Sequence, residues 1–190
     1  MPKIVFIHGS PRPRGNTRTL AGWAMDAARQ AGGTVTEINP DKLAFKAPGC
    51  ISCYKCQQSD SFRCAVDDEL GRTVGTLPDF DACVLATPIY WFSFPAQLKM
   101  FIDRMFSLIK FDGQGIRTPL EGKTFGLLAT GGGEVEDNLS LLERQWSKPA
   151  GYARSPFVSC LIPNTTYNPR ELSAKAREKA ETFGRSLVQG

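Results

Sequence analysis

Four cysteines fall within fifteen residues, in the order Cys50-x2-Cys53-x2-Cys56-x7-Cys64. Two successive two-residue gaps let one tight loop turn three thiolates inward. A fourth, a few residues on, can close an iron–sulfur cubane or a tetrahedral zinc site; thiols without a metal are the third reading. A second constellation is Gly9-Ser10-Pro11-Arg12-Pro13-Arg14-Gly15-Asn16-Thr17. Ser10 and Thr17 offer hydroxyls, Asn16 an amide or a helix cap, and Arg12 a fork for an oxyanion. Ahead of a helix, whose free N–H groups and dipole attract anions, this is a cradle for one phosphate. It matches neither G-x-x-x-x-G-K-[ST] nor G-x-G-x-x-G, so a nucleoside triphosphatase loop and a dinucleotide loop are both disfavoured. A third segment, Thr87-Pro88-Ile89-Tyr90-Trp91-Phe92-Ser93-Phe94-Pro95, sets aromatics between two prolines and suits a flat ring system. A fourth, Thr130-Gly131-Gly132-Gly133, strips away side chains where backbone N–H groups can approach partial negative charge.

These segments need a scaffold that brings them to one place. Apolar runs at 3–8, 34–38, 82–87, 123–129 and 157–162 alternate with helical patterns. Leu20, Trp23, Ala24, Ala27, Ala28 and Ala31 form the first helical stripe, closed by Gly32 and Gly33. A short helix is expected over about 67–75. Others carry Leu98, Phe101, Ile102, Met105, Phe106 and Ile109; then Val135, Leu139, Leu142 and Trp146; then Leu172, Ala176, Ala180, Phe183 and Leu187. Asp67 and Asp68 are expected to cap the short helix. Cys83 and Cys160 lie in strands and are expected as small buried hydrophobes. His8, the sole histidine, is expected as a packed residue. Strand–helix alternation of this length predicts an α/β domain with a parallel sheet covered on both faces. Ligands then bind outside the C-terminal edge of the sheet. The segments to inspect are therefore 9–17, 39–66, 88–95, 130–135 and 163–169, and the unusual residues lie in the first four.

The chain has 190 residues, 42% hydrophobic and 22% charged, a globular balance. Twenty-three Lys and Arg against 19 Asp and Glu leave +4, too little and too scattered to imply a nucleic-acid surface. No apolar run is long enough for a membrane span. The N-terminus lacks a signal-peptide cleavage pattern and is expected to be the first strand. A cytoplasmic location is expected, where disulfides are disfavoured.

GSPRPRGNT after the first strand, TPIYWFSFPAQLKMFIDR after the third and ATGGG after the fourth together resemble the NADPH-dependent FMN reductases, over nearly the whole chain. The resemblance implies one flavodoxin-like domain over 1–190, a three-layer sandwich with strand order 2-1-3-4-5 and a cysteine-rich loop at about 48–66. It implies FMN, its phosphate held by Ser10, Arg12, Asn16 and Thr17. The ring would be lined by Pro88, Ile89, Tyr90, Trp91 and Phe92 and closed by Thr130, Gly131 and Gly132; Arg14 and Arg18 match no role. Cys50, Cys53, Cys56 and Cys64, followed by Val66-Asp67-Asp68-Glu69-Leu70, resemble the iron–sulfur flavoproteins of the same group, which carry a [4Fe-4S] cluster in this loop. The implied activity moves electrons from NAD(P)H or a protein donor through the flavin to a quinone, a free flavin or a similar small acceptor. No side-chain acid is needed. The alternatives are a flavodoxin-like electron carrier and a redox or metal sensor built on the cysteine loop. A homodimer or homotetramer is implied, with no nucleic acid and no membrane. The strand order also implies that the cysteine loop, which follows the outermost strand, lies at the phosphate end of the site unless it folds over or reaches a neighbouring subunit.

Overall fold

The computed structural model describes residues 1–113 and 115–189; the ends of the expected 1–190 span thus include Gly190, and its interior Gln114, outside the described residues. Strands β1 (Lys3–His8), β2 (Thr34–Ile38), β3 (Ala82–Pro88), β6 (Thr124–Thr130) and β7 (Phe157–Ile162) form one sheet in the order β2-β1-β3-β6-β7, every pair parallel. This is the flavodoxin-like order 2-1-3-4-5 with a small hairpin, β4 (Lys110–Asp112) and β5 (Gly115–Arg117), standing apart. The central strands are apolar along both faces, as burial on both sides demands: Ile4 to Ile7 and Val84 to Ala86 are wholly buried.

Alternation along each strand divides the core. Val5, Ile7, Cys83 and Leu85 pack with helices α2 (Glu69–Val74), α3 (Ala96–Arg104) and α4 (Ser140–Tyr152). Ile4, Phe6, Val84 and Ala86 pack with α1 (Asn16–Gln30) and α5 (Ala174–Gln189). These last two helices meet backbone to backbone: a Cβ on Gly184 would stand 2.0 Å from the Ala24 carbonyl oxygen. On the other face Trp146, wholly buried, donates its indole N–H to the Gly126 carbonyl at 3.0 Å, so its bulk fills the core without stranding a donor.

Three boundaries differ from the periodicity. The stripe through Ile109 is helical only to Arg104; Met105–Leu108 tighten into a 3-10 turn and Ile109 is extended. The turn buries Met105 and Leu108 while reversing the chain into the hairpin, whose Phe111 stacks on Phe106 at 6.0 Å. Val135–Leu139 form a π turn ahead of α4. Leu172 packs before α5, following the turn Pro169–Glu171. Asp68 caps α2, accepting from the Gly71 N–H at 2.8 Å, whereas Asp67, also expected to cap, is exposed and pairs with Arg72. Among the described residues no helix is long and apolar enough to cross a membrane.

Candidate functional site

At the C-terminal edge of β1, β3 and β6 lies a cleft of about 430 Å³ lined by Ser10, Arg12, Gly15, Asn16, Thr17, Pro88, Ile89, Tyr90, Thr130, Gly131 and Gly132, together with Thr165, Thr166 and Tyr167. The volume suits a small-molecule site. Ten of the twelve residues expected to hold a cofactor are thus brought together. The lining contains the Arg12 cation and no carboxylate. Gly15 is the N-cap of α1 and Asn16 its first residue, so Asn16 is not a cap. Its amide instead donates to the Thr166 carbonyl at 2.6 Å, and its Oδ1 is buried with no partner. The Arg12 guanidinium donates to the Tyr167 carbonyl at 3.1 Å. Across the cleft floor, the buried hydroxyls of Thr17 and Thr130 bond at 2.7 Å, joining α1 to β6.

The glycine run works by removing bulk. A Cβ on Gly131 would stand 2.4 Å from Asn138 Oδ1, whereas one on Gly132 would meet only the Thr165 carbonyl, at 3.8 Å. Gly131 therefore admits Asn138, and Gly132 leaves open space. The segment after β7 supplies the residues that sequence reasoning left unassigned. Thr165 donates through its N–H and its hydroxyl to the Gly131 carbonyl at 2.9 and 3.1 Å. Its only signal was its place after a strand.

Tyr90 to Ser93 form a tight turn closed by mutual backbone bonds, Tyr90 N–H to Ser93 at 3.0 Å and Ser93 N–H to Tyr90 at 3.1 Å. Its central residues, Trp91 and Phe92, both have positive φ, 47° and 61°. That is the signature of a type I′ turn, normally built from Asn and Gly. The turn keeps Tyr90 at the cleft and throws Trp91, 93% exposed, and Phe92, 55% exposed, outward. These two expected ring-lining residues do not line the cleft of their own chain.

Cys50, Cys53, Cys56 and Cys64 line a second, narrow cavity of about 20 Å³ with Ile51, Tyr54, Arg104, Phe106 and Ser107. All four thiols are free. Ser52 and Tyr54, with φ of 53° and 55°, bend the loop inward. Three sulfurs receive N–H donors: Cys50 from the Ser52 backbone at 3.4 Å, Cys56 from Gln57 at 3.7 Å and Cys64 from Arg104 at 3.2 Å. Among the described residues no three or more His, Cys, Asp or Glu side chains stand as a ready-made metal cage. The loop does not stay beside Ser10–Thr17. It runs along α3 to that helix's C-terminal end, and nine residues of helix, about 14 Å, separate this end from the aromatic turn.

His8 ends β1, 1% exposed, with Nε2 3.0 Å from Glu37 Oε2 and Nδ1 without a partner. Burial and the nearby Arg18 charge push it down to about 4, against the raising effect of Glu37. Neutral at pH 7, it donates Nε2–H to the carboxylate and does not face the cleft. Burial raises the Cys83 thiol to about 12 and the Cys160 thiol to about 11, which keeps both as inert core residues.

The sequence is 34% identical over 103 residues to the iron–sulfur flavoprotein of Methanocaldococcus jannaschii, covering 54% of this chain and 51% of that one. It is 32% identical over 161 residues to the iron–sulfur flavoprotein of Archaeoglobus fulgidus, covering 80% and 67%. The chain thus spans about half the length of the first of these curated relatives. The fold is similar to an FMN-dependent NADH-azoreductase of Bacillus anthracis solved in complex with FMN: TM-score 0.73, 13% identity, 98% and 99% of the two chains covered. Residues 2–144 match the family of NADPH-dependent FMN reductases. Sheet order and the sequence match over three quarters of the chain agree: this protein belongs to the NADPH-dependent FMN reductase family.

Proposed function

We propose that the chain is an FMN-dependent oxidoreductase. It takes electrons from NAD(P)H, or from a protein donor, and passes them to a quinone, a free flavin or a similar small acceptor. The observation that carries this is the cleft itself. Arg12, the hydroxyls of Ser10 and Thr17 and the N-terminus of α1 share one lining with Pro88, Ile89, Tyr90 and the backbone of Thr130-Gly131-Gly132, and that lining holds no acid. The fit extends to the buried Asn16 Oδ1, an acceptor without a donor, which a ligand hydroxyl can satisfy. Bound FMN would supply hydride and single-electron chemistry at its ring. The residues bind and orient. Ser10, Arg12, Asn16 and Thr17 hold the phosphate; Pro88, Ile89, Tyr90, Thr130, Gly131 and Gly132 border the ring; Trp91 and Phe92 act on the open side, or on a second subunit. Arg12 and Asn16 each give one N–H to the carbonyls of Tyr167 and Thr166, and their other N–H groups serve the phosphate. A net charge of +4 and the cradle arginine disfavour the reading as a flavodoxin-like carrier.

Losing the Arg12 charge removes a charge-assisted hydrogen bond of about 1.5–3 kcal/mol. Arg12→Ala should then weaken FMN about 10- to 100-fold by fluorescence titration, with riboflavin, which lacks the phosphate, nearly unaffected. Equal losses for both, or an adenine nucleotide preferred in this cleft, would overturn the assignment.

The same proposal gives Cys50, Cys53, Cys56 and Cys64 a [4Fe-4S] cluster. Supporting it are the four sulfurs in one lining, the N–H groups on three of them and the names of two relatives. The narrow cavity must widen to accept the cluster. Anaerobic reconstitution should bring iron and sulfide toward about four each per chain, and Ser at any of the four positions should abolish both while FMN stays bound. Zinc uptake alone would instead support a tetrahedral structural site, and no metal would leave a plain reductase. A cytoplasmic location, where thiols and clusters stay reduced, is part of this reading.

A further inference from the structure

Two cations are buried beside the cysteine loop. Arg104 is 1% exposed and Lys110 is 3% exposed. A guanidinium has five N–H groups, and Arg104 uses all of its nitrogens. Nε donates to Cys64 Sγ at 3.2 Å. Nη1 donates to the carbonyls of Ala47 and Gly49, each at 3.3 Å. Nη2 donates to the Val66 carbonyl at 3.1 Å and to Asp68 Oδ1 at 2.6 Å. The acceptors flank the cysteine segment on both sides, 47 and 49 before Cys50 and 64, 66 and 68 from Cys64 onward. Gly71 makes room, since a Cβ there would stand 2.8 Å from Nη2. Asp68 is itself fixed. Its burial favours protonation, but the N–H groups of Lys46 and Gly71 and the Arg104 guanidinium hold its carboxyl below the ordinary range. Lys110 donates to the Cys56 carbonyl and lies 5.4 Å from the Phe62 ring centre. Against two buried cations stands one buried carboxylate, Asp68. Among the described residues Asp68 pairs with Arg104, which lines the cavity of the four thiols, and the surplus cation is Lys110, held just outside that lining on the Cys56 carbonyl.

We propose that Arg104 is the positioning residue of the cysteine site. It staples the base of the loop, places a charged N–H on the Cys64 sulfur and, with Lys110, supplies the positive charge that compensates thiolates and whatever they hold. A lysine cannot replace it, because an ammonium is a point donor and cannot reach acceptors spread around a planar fork. For an iron–sulfur group the consequence is a raised reduction potential, because hydrogen bonds to sulfur and nearby positive charge favour the more negative, reduced state. That consequence rests on the cluster reading given above; the staple does not.

The two parts are separated by experiment. In metal-free protein, trypsin can cut at the exposed Lys55 and Arg63 within the loop. Arg104→Gln should speed cleavage there at least tenfold, and Arg104→Lys by a smaller factor, with FMN binding and far-UV dichroism unchanged. Unchanged cleavage in both variants would overturn the staple. Should Arg104→Gln fail to fold, Arg104→Lys decides alone. In anaerobically reconstituted protein, dithionite delivers one electron per cluster with no ligand bond broken. Lys110→Met should leave iron and sulfide in place and lower the midpoint potential; Arg104→Lys should speed iron loss to a chelator. A Lys110→Met potential equal to wild type would overturn the charge assignment. A wild-type chain that takes up no iron would overturn the cluster reading and leave the staple to be judged by trypsin.

Discussion

Buried at the end of β1, His8 has the side chain whose charge state most directly ties stability to pH. Its ordinary value is 6.5 and burial, with Arg18 beside it, lowers it to about 4 in the folded chain. Between those values the unfolded chain binds a proton that the folded chain refuses. Stability is therefore full above pH 6.5 and falls as the pH drops toward 4, by up to about 3 kcal/mol. Glu37 at 3.0 Å works against this but is itself 40% exposed, and its pull is screened. Urea unfolding of FMN-free protein at pH 7, 6 and 5 should show wild type losing stability faster than His8→Gln. Parallel losses in the two would mean that other groups govern the acid limb. A different logic applies at Thr17 and Thr130, whose mutual bond keeps two buried hydroxyls paired until a ligand arrives. Neither needs to titrate for the cleft to work.

At the scale of elements, the type I′ turn at Trp91 and Phe92 stores strain where a ligand is expected, since L-residues with side chains adopt the left-handed region at roughly 1–2 kcal/mol each. Replacing the pair with Asn and Gly should stabilise the FMN-free monomer by about 2 kcal/mol in urea, with an unchanged slope, because Trp91 buries almost nothing. No gain would show that the aromatics repay the strain within the single chain. This turn also marks where sequence reasoning stopped. The five long strands were legible because continuous apolar runs bounded by Gly and Pro leave little else, and the cradle, the ring-side prolines and the glycine run were legible because each follows such a strand. Two aromatic residues in a turn that usually takes Asn-Gly gave no local signal. Nor did the hairpin, whose strands Lys110–Asp112 and Gly115–Arg117 are too short to show a period. The path of the cysteine loop was hidden for another reason: its anchor is one helical arginine far along the chain. The clue was there in the spacing, since Arg104 falls three residues after Phe101, on the apolar stripe of α3, where a cation has no place without buried acceptors.

The cleft and the cysteine cavity lie toward opposite ends of α3, and this sets what a partner copy would have to cover. The aromatic turn precedes the helix and the cysteine cavity wraps its far end. Trp91 and Phe92 are exposed at the first end; Ile51, Tyr54 and Phe111 are exposed at the second. Apolar surface left open at both ends of one helix favours a partner that covers both. A second copy related by a two-fold axis across α3 would run its helix antiparallel, bringing one chain's cysteine cavity beside the other chain's cleft. That arrangement closes the open side of the ring site with the partner's loop and removes the helix-length gap that separates the two sites within one chain. It predicts a dimer, or a dimer of dimers, in the FMN-bound state. Sedimentation at micromolar concentration should show it, with Trp91 emission shifting to the blue on association and reverting on dilution. The Trp91→Asn and Phe92→Gly double variant should weaken the assembly and, with it, FMN binding, even though neither residue lines the cleft of its own chain. A strictly monomeric species with FMN bound at that concentration would contradict the arrangement, and electron exchange between the two sites would then have to cross the length of α3.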